Sequence, residues 1–178
     1  GYDFVDGGTG LDTVTYEDSW GRVVVNLTTG INQYSEAARD VLVNVERIVG
    51  SRYDDRLTGD ANDNRLTGGE GNDVLNGMAG IDYLFGSAGN DTMTGGTGAD
   101  VFVFNAGFGN DTITDFAAGV GRTDRLWLQA AGVAGQTAPE WSALDTAAGA
   151  VISIVGQGSI TLAGVSVAQL HADDFIFS

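Results

Sequence analysis

Residues 50–103 read GSRYDDRLT, GDANDNRLT, GGEGNDVLN, GMAGIDYLF, GSAGNDTMT and GGTGADVFV, six nonamers with nothing between them. Glycine opens every unit, at Gly50, Gly59, Gly68, Gly77, Gly86 and Gly95, and returns at the fourth place in the last four, at Gly71, Gly80, Gly89 and Gly98. The sixth place is Asp55, Asn64, Asp73, Asp82, Asp91 and Asp100, and the eighth is Leu57, Leu66, Leu75, Leu84, Met93 and Phe102. A fixed period of this kind marks a solenoid, in which no unit buries its apolar residue alone and stacking supplies the core. A Gly/Asp-rich linker would not keep a large apolar residue at the eighth place through all six units.

Each place has a physical task. Glycine at the first, second and fourth places permits positive φ and lets carbonyl oxygens point at a common centre that a Cβ would obstruct. The Asp brings charge to that centre. The last three residues suit one short rung of a stacked parallel sheet, with a single apolar side chain turned inward. Two nonamers complete a coil, so units two apart stack on the same side: Asp73 lies between Asp55 and Asp91, and Asp82 between Asn64 and Asp100. Carboxylates stacked at the strand spacing, ~4.8 Å, repel strongly unless a cation sits between them. The repeat calls for a metal.

The composition of the 178 residues agrees. Acids outnumber bases 24 to 8, for a net charge of −16; 19 of the acids are Asp, and every base is Arg. Short carboxylates on glycine-rich turns suit hard cations that want oxygen ligands. The absence of Cys and the lone His171 exclude disulfides, thiolate zinc sites and multi-His sites. So acidic a chain repels phosphate backbones and anionic lipid heads, which argues against nucleic acid as a partner and against membrane attachment. Nor does any apolar run approach the ~18 residues that suggest membrane insertion as a helix.

These nonamers resemble the RTX (repeats-in-toxin) motif G-G-x-G-x-D-x-U-x. The resemblance takes in residues 1–15 and 50–114: a further unit, GGTGLDTVT, occupies 7–15, a degenerate one, AGFGNDTIT, occupies 106–114, and residues 1–6 match the tail of another. The sequence is therefore expected to begin inside a longer array. The resemblance implies an all-β chain forming a right-handed parallel β-roll, a solenoid in which several Ca2+ ions are held between successive turns by Asp carboxylates and turn carbonyls. The implied sites are Asp55/Asp73, Asp73/Asp91, Asp82/Asp100 and Asp91/Asp111, with carbonyls from Gly68, Gly69, Gly71, Gly77, Gly80, Gly86, Gly89, Gly95, Gly96 and Gly98, and with Asp12 as the ligand of the first unit. The sequence departs from the motif at Asn64, which is neutral, at Tyr53 and Asn62, which replace the fourth glycine, and at Phe104 and Asn105, which interrupt the period. Asp145, Asp173 and Asp174 lie outside the nonamers and read as solvated surface.

The flanks divide the chain into a partial repeat plus irregular β insert (1–49), the roll (50–114) and a C-terminal β capping segment (115–178). In the insert, residues 22–27 and 40–49 carry β-branched, alternating runs that favour strands, and residues 35–39 suit a short helical turn. Residues 115–128 resemble the segment that follows the roll in serralysin-type proteases. Residues 150–155 and 159–163 flank Gly156, Gln157 and Gly158 as a hairpin. The end, residues 173–178, resembles the acidic-then-apolar C-terminus of type I secretion substrates and equally suits a final capping strand, since a solenoid needs its open end covered.

No nucleophile elbow, Cys, Lys or H-E-x-x-H helix is present, so the segment itself is not expected to be an enzyme, whatever activity a missing N-terminal part carries. The resulting expectation is a calcium-driven folding module, secreted or at the cell surface of a bacterium, that works with the type I secretion machinery as part of a larger exported protein. The alternative is a binding module for an anionic polysaccharide, or part of an adhesin. Arg22, Arg39, Arg47, Arg52, Arg56 and Arg65 crowd residues 22–65, and Tyr53 and Tyr83 on turns, with Trp20, Trp127 and Trp141, offer rings for sugars or, with their apolar neighbours, for a capping core.

Overall fold

In the computed structural model, residues 3–30, 40–121, 123–129 and 141–177 are described. The expected helical turn at 35–39 and Arg39 lie outside them. The backbone winds into a parallel β-roll whose two main sheets stack face to face. One sheet is built from β3 (Val24–Asn26), β6 (Arg56–Thr58), β8 (Val74–Ala79), β10 (Thr92–Thr97), β12 (Gly109–Ile113) and β16 (Gly158–Ala163), and ends in two antiparallel strands, β15 (Gly149–Ile154) and β14 (Trp141–Asp145). The other is built from β2 (Thr13–Thr15), β5 (Arg47–Val49), β7 (Arg65–Glu70), β9 (Tyr83–Ala88), β11 (Val101–Phe104), β13 (Arg125–Leu128) and β17 (Phe175–Phe177).

The nonamer sets the register. Leu57 pairs with Leu75 and Leu75 with Met93 on one sheet, while Ile48, Leu66, Leu84 and Phe102 pair in series on the other. All of these eighth-place side chains are fully buried, and they form the spine of the core. A buried Leu contributes roughly 1.5–3 kcal/mol, a fraction of the conformational entropy lost by the nine residues that carry it. No unit can stand without its neighbours. Strands β7 to β10 are six residues long rather than three, because pairing runs on through the first three residues of the next nonamer.

The insert joins the stack and adds a side to it. β1 (Phe4–Asp6) pairs with β4 (Val41–Val43), β2 with β5 and β3 with β6, which makes two turns of a three-sided coil. β7 then stacks on β5 and β8 on β6, and the third side ends at β4. The alternating run at 40–49 is thus two strands, with a corner at Asn44, where φ is 53°. At the other end, β12 pairs with β16 and β13 with β17, each across 49 residues of chain, so the C-terminal segment continues both sheets. The expected hairpin is β15–β16.

Candidate metal centre: two rows of buried carboxylates

Each coil passes through two tight turns, and these stack into two rims. On the first rim, Gly68, Gly69 and Gly71 precede Asp73, and Gly86 and Gly89 precede Asp91. On the second, Gly77 and Gly80 precede Asp82, and Gly95, Gly96 and Gly98 precede Asp100. Stacking needs bare backbone here: at Gly89, where φ is 143°, an added Cβ would run into the carbonyl of Gly71 one turn away. The stacked Asp residues are almost wholly buried; Asp73, Asp91, Asp100 and Asp111 are 1% exposed and Asp82 0%.

One oxygen of each carboxylate is accounted for. On the first rim, Asp73 Oδ1 accepts the N–H of Asp55 at 2.7 Å, Asp91 that of Asp73 at 2.8 Å and Asp111 that of Asp91 at 2.9 Å. On the second, Asp82 accepts from Asn64 at 2.8 Å, Asp100 from Asp82 at 2.9 Å and Asp124 from Asp100 at 2.9 Å. The other oxygen is not: Oδ2 of Asp73, Asp82, Asp91, Asp100 and Asp111 is buried with no hydrogen-bond partner. Leaving a carboxylate oxygen in this state costs free energy that a fold does not repeat five times without a compensating charge. The oxygens face glycine backbone: a Cβ built on Gly68 would collide with Asp73 Oδ2 and come within 2.8 Å of the Gly86 carbonyl oxygen. One built on Gly77 would collide with Asp82 Oδ2 and come within 2.6 Å of the Gly95 carbonyl oxygen.

The electrostatics follow from burial. Desolvation pushes Asp73 up to about 8, Asp82 and Asp111 to about 7, and Asp91 and Asp100 to about 6, against the pull of the single backbone N–H each accepts. Stacked neighbours add to the rise: Asp91 and Asp55 act on Asp73, and Asp100 acts on Asp82. A donor set of carboxylate and carbonyl oxygen, with unmatched negative charge in a low-dielectric turn, fits a hard divalent cation such as calcium.

Three of the four row ends take protein donors instead, the exception being Asp111. Asp55 Oδ2 accepts from the N–H and hydroxyl of Ser51, and Asp124 Oδ2 from the N–H of Ala117 at 2.9 Å. Asn64 turns its Oδ1 to the N–H of Asp60 at 2.7 Å. Asp12 lies beyond Asn64 in the direction of the second rim, where its N–H donates to Glu46 at 3.0 Å and its own Oδ2 is buried without a partner. The interruption at 104–105 lengthens the step from Asp91 to Asp111 by two residues and leaves the row unbroken.

Several residues sit elsewhere than the sequence implied. Asp174 is fully buried, not solvated: it ends the C-terminal loop by accepting the N–H of Gly119 at 2.9 Å and that of His171 at 2.7 Å. Asp145 and Asp173 are exposed. Tyr83 lies on strand β9 rather than on a turn, because it holds the seventh place and points outward. None of the named aromatic residues enters the inner core: Trp20 is 81% exposed, Trp127 packs outside the roll against Phe85, Val101 and Val103, and Trp141 lies 5.8 Å from the Phe175 ring. Asp124 and Glu46 were missed. Each precedes a strand as an acid-x-apolar-x stretch, DRLW and ERIV, which is the second half of the nonamer without its glycines.

Residues 44–75, 67–102 and 76–113 match the family model of the RTX calcium-binding nonapeptide repeat (4 copies). The solution structure of the AlgE6R3 subunit from the Azotobacter vinelandii mannuronan C5-epimerase is similar, with 31% identity over 72% of this chain and 80% of that one and a TM-score of 0.54. The crystal structure of the extracellular lipase LipA from Serratia marcescens shares the fold over 100% of this chain and 34% of that one, at 18% identity and a TM-score of 0.58. No match was found among curated proteins. The unbroken repeat, its parallel roll and the epimerase subunit that shares both agree: the chain belongs to the RTX family of calcium-binding nonapeptide repeats.

Proposed function

We propose that this calcium-binding β-roll is a folding module of a larger exported bacterial protein, disordered at low calcium and ordered outside the cell, with no catalytic role of its own. The observation that carries this reading is the five buried, unpartnered Oδ2 atoms that the array sets in two rows, three on one rim and two on the other. Asp73, Asp91 and Asp111 on one rim, and Asp82 and Asp100 on the other, would hold the ions together with carbonyls of the glycines around them. Bound calcium would supply the positive charge that lets the stacked carboxylates stay ionised in the interior. The chain's part is to fix the spacing, through the backbone N–H that each Oδ1 accepts, and to exclude water with the leucine spine. Because a preformed site does not survive unfolding, binding free energy becomes folding free energy; a site at about 100 times its dissociation constant adds about 2.7 kcal/mol.

The segment 115–178 is the template in this reading, since β16 and β17 extend both sheets next to the units closest to the motif. Emergence of that end first from a type I secretion channel would let folding start outside. Circular dichroism tests the core of the proposal: the metal-stripped chain should lack a β spectrum, calcium should restore it, and magnesium should need a far higher concentration. A native β spectrum in chelator that calcium leaves unchanged would overturn it. Deleting residues 150–178 should abolish calcium-induced folding, whereas deleting 1–49 should preserve most of it.

A second reading, a module that binds an anionic polysaccharide, is favoured by the 31% identity with a subunit of a mannuronan epimerase.

A further inference from the structure

Arg47, Arg56 and Arg65 do not form one patch. Arg56 lies on the outer face of the first sheet, in a column with Val24, Val74, Thr92 and Thr112. Arg47 and Arg65 lie on the second sheet, directly opposite each other on β5 and β7, with Thr13 before them and Tyr83 after them in the same column. Like charges in directly opposed positions destabilise a sheet. In a chain with 24 acids, neither arginine is given a carboxylate: among the described residues neither makes an ion pair. Arg65 is instead held over the Phe85 ring, 4.0 Å from its centroid. Thr13, Arg47, Val49, Arg65 and Thr67, over the buried Ile48, line a groove of about 260 Å³.

Two planar guanidinium forks one strand spacing apart, ~4.8 Å, suit oxyanions presented along a chain, because each fork takes a carboxylate in bidentate fashion. Tyr83, 39% exposed, adds a ring face at the next rung. A chain of Asp and Glu brings carboxylates but not the C–H face of a sugar ring to lay on that tyrosine. Duplex nucleic acid, with one charge per ~1.7 Å, is repelled by a protein of net charge −16 more strongly than a chain with one carboxylate per sugar ring.

We propose that the outer face of the second sheet, from Thr13 to Tyr83 with Arg47 and Arg65 at its centre, is a binding site for a hexuronate polysaccharide. The two guanidinium groups take successive ring carboxylates, and Tyr83 stacks on a pyranose ring. This deepens the second reading above and rests on the roll being folded, because the arginine pair exists only as adjacent rungs.

The test is calorimetry on the calcium-saturated 178-residue chain with a short oligohexuronate, an uncharged cello-oligosaccharide of equal length and an oligoglutamate. The oligohexuronate should bind, and the other two should not. Arg47→Gln with Arg65→Gln should weaken binding at least about tenfold, as should Tyr83→Ala to a smaller degree, while Arg56→Gln on the opposite face changes nothing. Amide shifts of the unsubstituted chain should move at residues 13, 47, 65 and 83. No oligohexuronate binding, undiminished binding by the double variant, shifts confined to other faces, or equal affinity for oligoglutamate would each overturn the assignment. Failure of calcium-driven folding would show separately, as a changed circular dichroism midpoint.

Discussion

The first rim, which carries Asp55, Asp73, Asp91 and Asp111, has a second ladder along its whole length, whereas the second, which carries Asn64, Asp82, Asp100 and Asp124, has one bond of that ladder and, at its far end, the Asp115 carboxylate on the N–H groups of Gly95 and Gly96. Outside the carboxylate row of the first rim runs an amide ladder. The N–H of Asn72 donates to Asp54 at 2.7 Å, that of Asn90 to Asn72 at 2.9 Å and that of Asn110 to Asn90 at 3.0 Å, and the Ser159 hydroxyl closes on Asn110 at 2.9 Å. The corresponding ladder of the second rim makes one bond, from the N–H of Ile81 to Asp63 at 2.7 Å, and then stops because Ile81 and Ala99 have no side-chain oxygen. Both rims come from the same nonamer. What differs is the fifth place, and it sets how far a rim's outer ladder runs.

The largest effect expected from this difference is on calcium dependence. Asp82→Asn removes one of two unpartnered carboxylates from the array's part of a rim whose outer ladder stops after one bond, whereas Asp73→Asn removes one of three on a rim that keeps its amides. Both should raise the calcium midpoint of folding, Asp82→Asn by about tenfold or more, on the scale by which ligand charge tunes calcium sites. Asp73→Asn should move it less, and Asp145→Asn, at an exposed position outside the rows, not measurably. Calcium titrations followed by circular dichroism rank the three. If Asp73→Asn proves the more damaging, the amide ladder carries no weight and sharing of Asp73 by two neighbours governs instead.

Acid should affect both rims alike, because the cause, buried carboxylate charge, is common to them. The folded-state values of Asp73, at about 8, and Asp82, at about 7, stand above the ordinary 3.8. A raised value means that the folded form binds protons more tightly than the unfolded chain, so its contribution to stability is complete below 3.8 and is lost as pH rises through the folded values. Metal-free protein should accordingly gain β structure on going from pH 8 to pH 5. Calcium-loaded protein should lose affinity over the same interval as protons compete for the carboxylates. Metal-free spectra that do not change between those pH values would remove the cost of burying ionised carboxylates as the reason for disorder.

The register of the roll was legible because nine residues separate identical environments, and from Gly50 to Val103 nothing interrupts the count. The rows beyond it were not. Asp124 follows Asp100 after 24 residues rather than 18, and Glu46 follows Asp12 after 34, so neither keeps the period, although the hydrogen bonds place each in the row. Burial of Asp174 depends on a partner, Gly119, 55 positions away. The third side formed by β1 and β4 follows from a corner at Asn44 that an alternating apolar run conceals. Local chemistry fixes what a turn can hold, while loop length fixes which turn it meets.

The smallest effect is the most direct test of the fifth place. Asn90→Ala cuts the ladder of the first rim, since the side chain that accepts the N–H of Asn110 is removed while the Asp91 row stays intact. The expected loss is about 0.5–1.5 kcal/mol, the ordinary net worth of one hydrogen bond. Ile81→Asn is the converse. The backbone N–H at that position already donates to Asp63, the side chain is 46% exposed and gives up little apolar burial, and an amide oxygen there would stand where Asn72 and Asn90 stand on the other rim, next to the N–H of Ala99. A gain of similar size, about 0.5–1.5 kcal/mol, should appear in urea unfolding of the calcium-loaded protein. It should also narrow the gap between Asp82→Asn and Asp73→Asn when each is combined with it. If Ile81→Asn leaves that gap unchanged, the difference between the rims lies in the neutral Asn64 that begins the second row and not in the missing ladder.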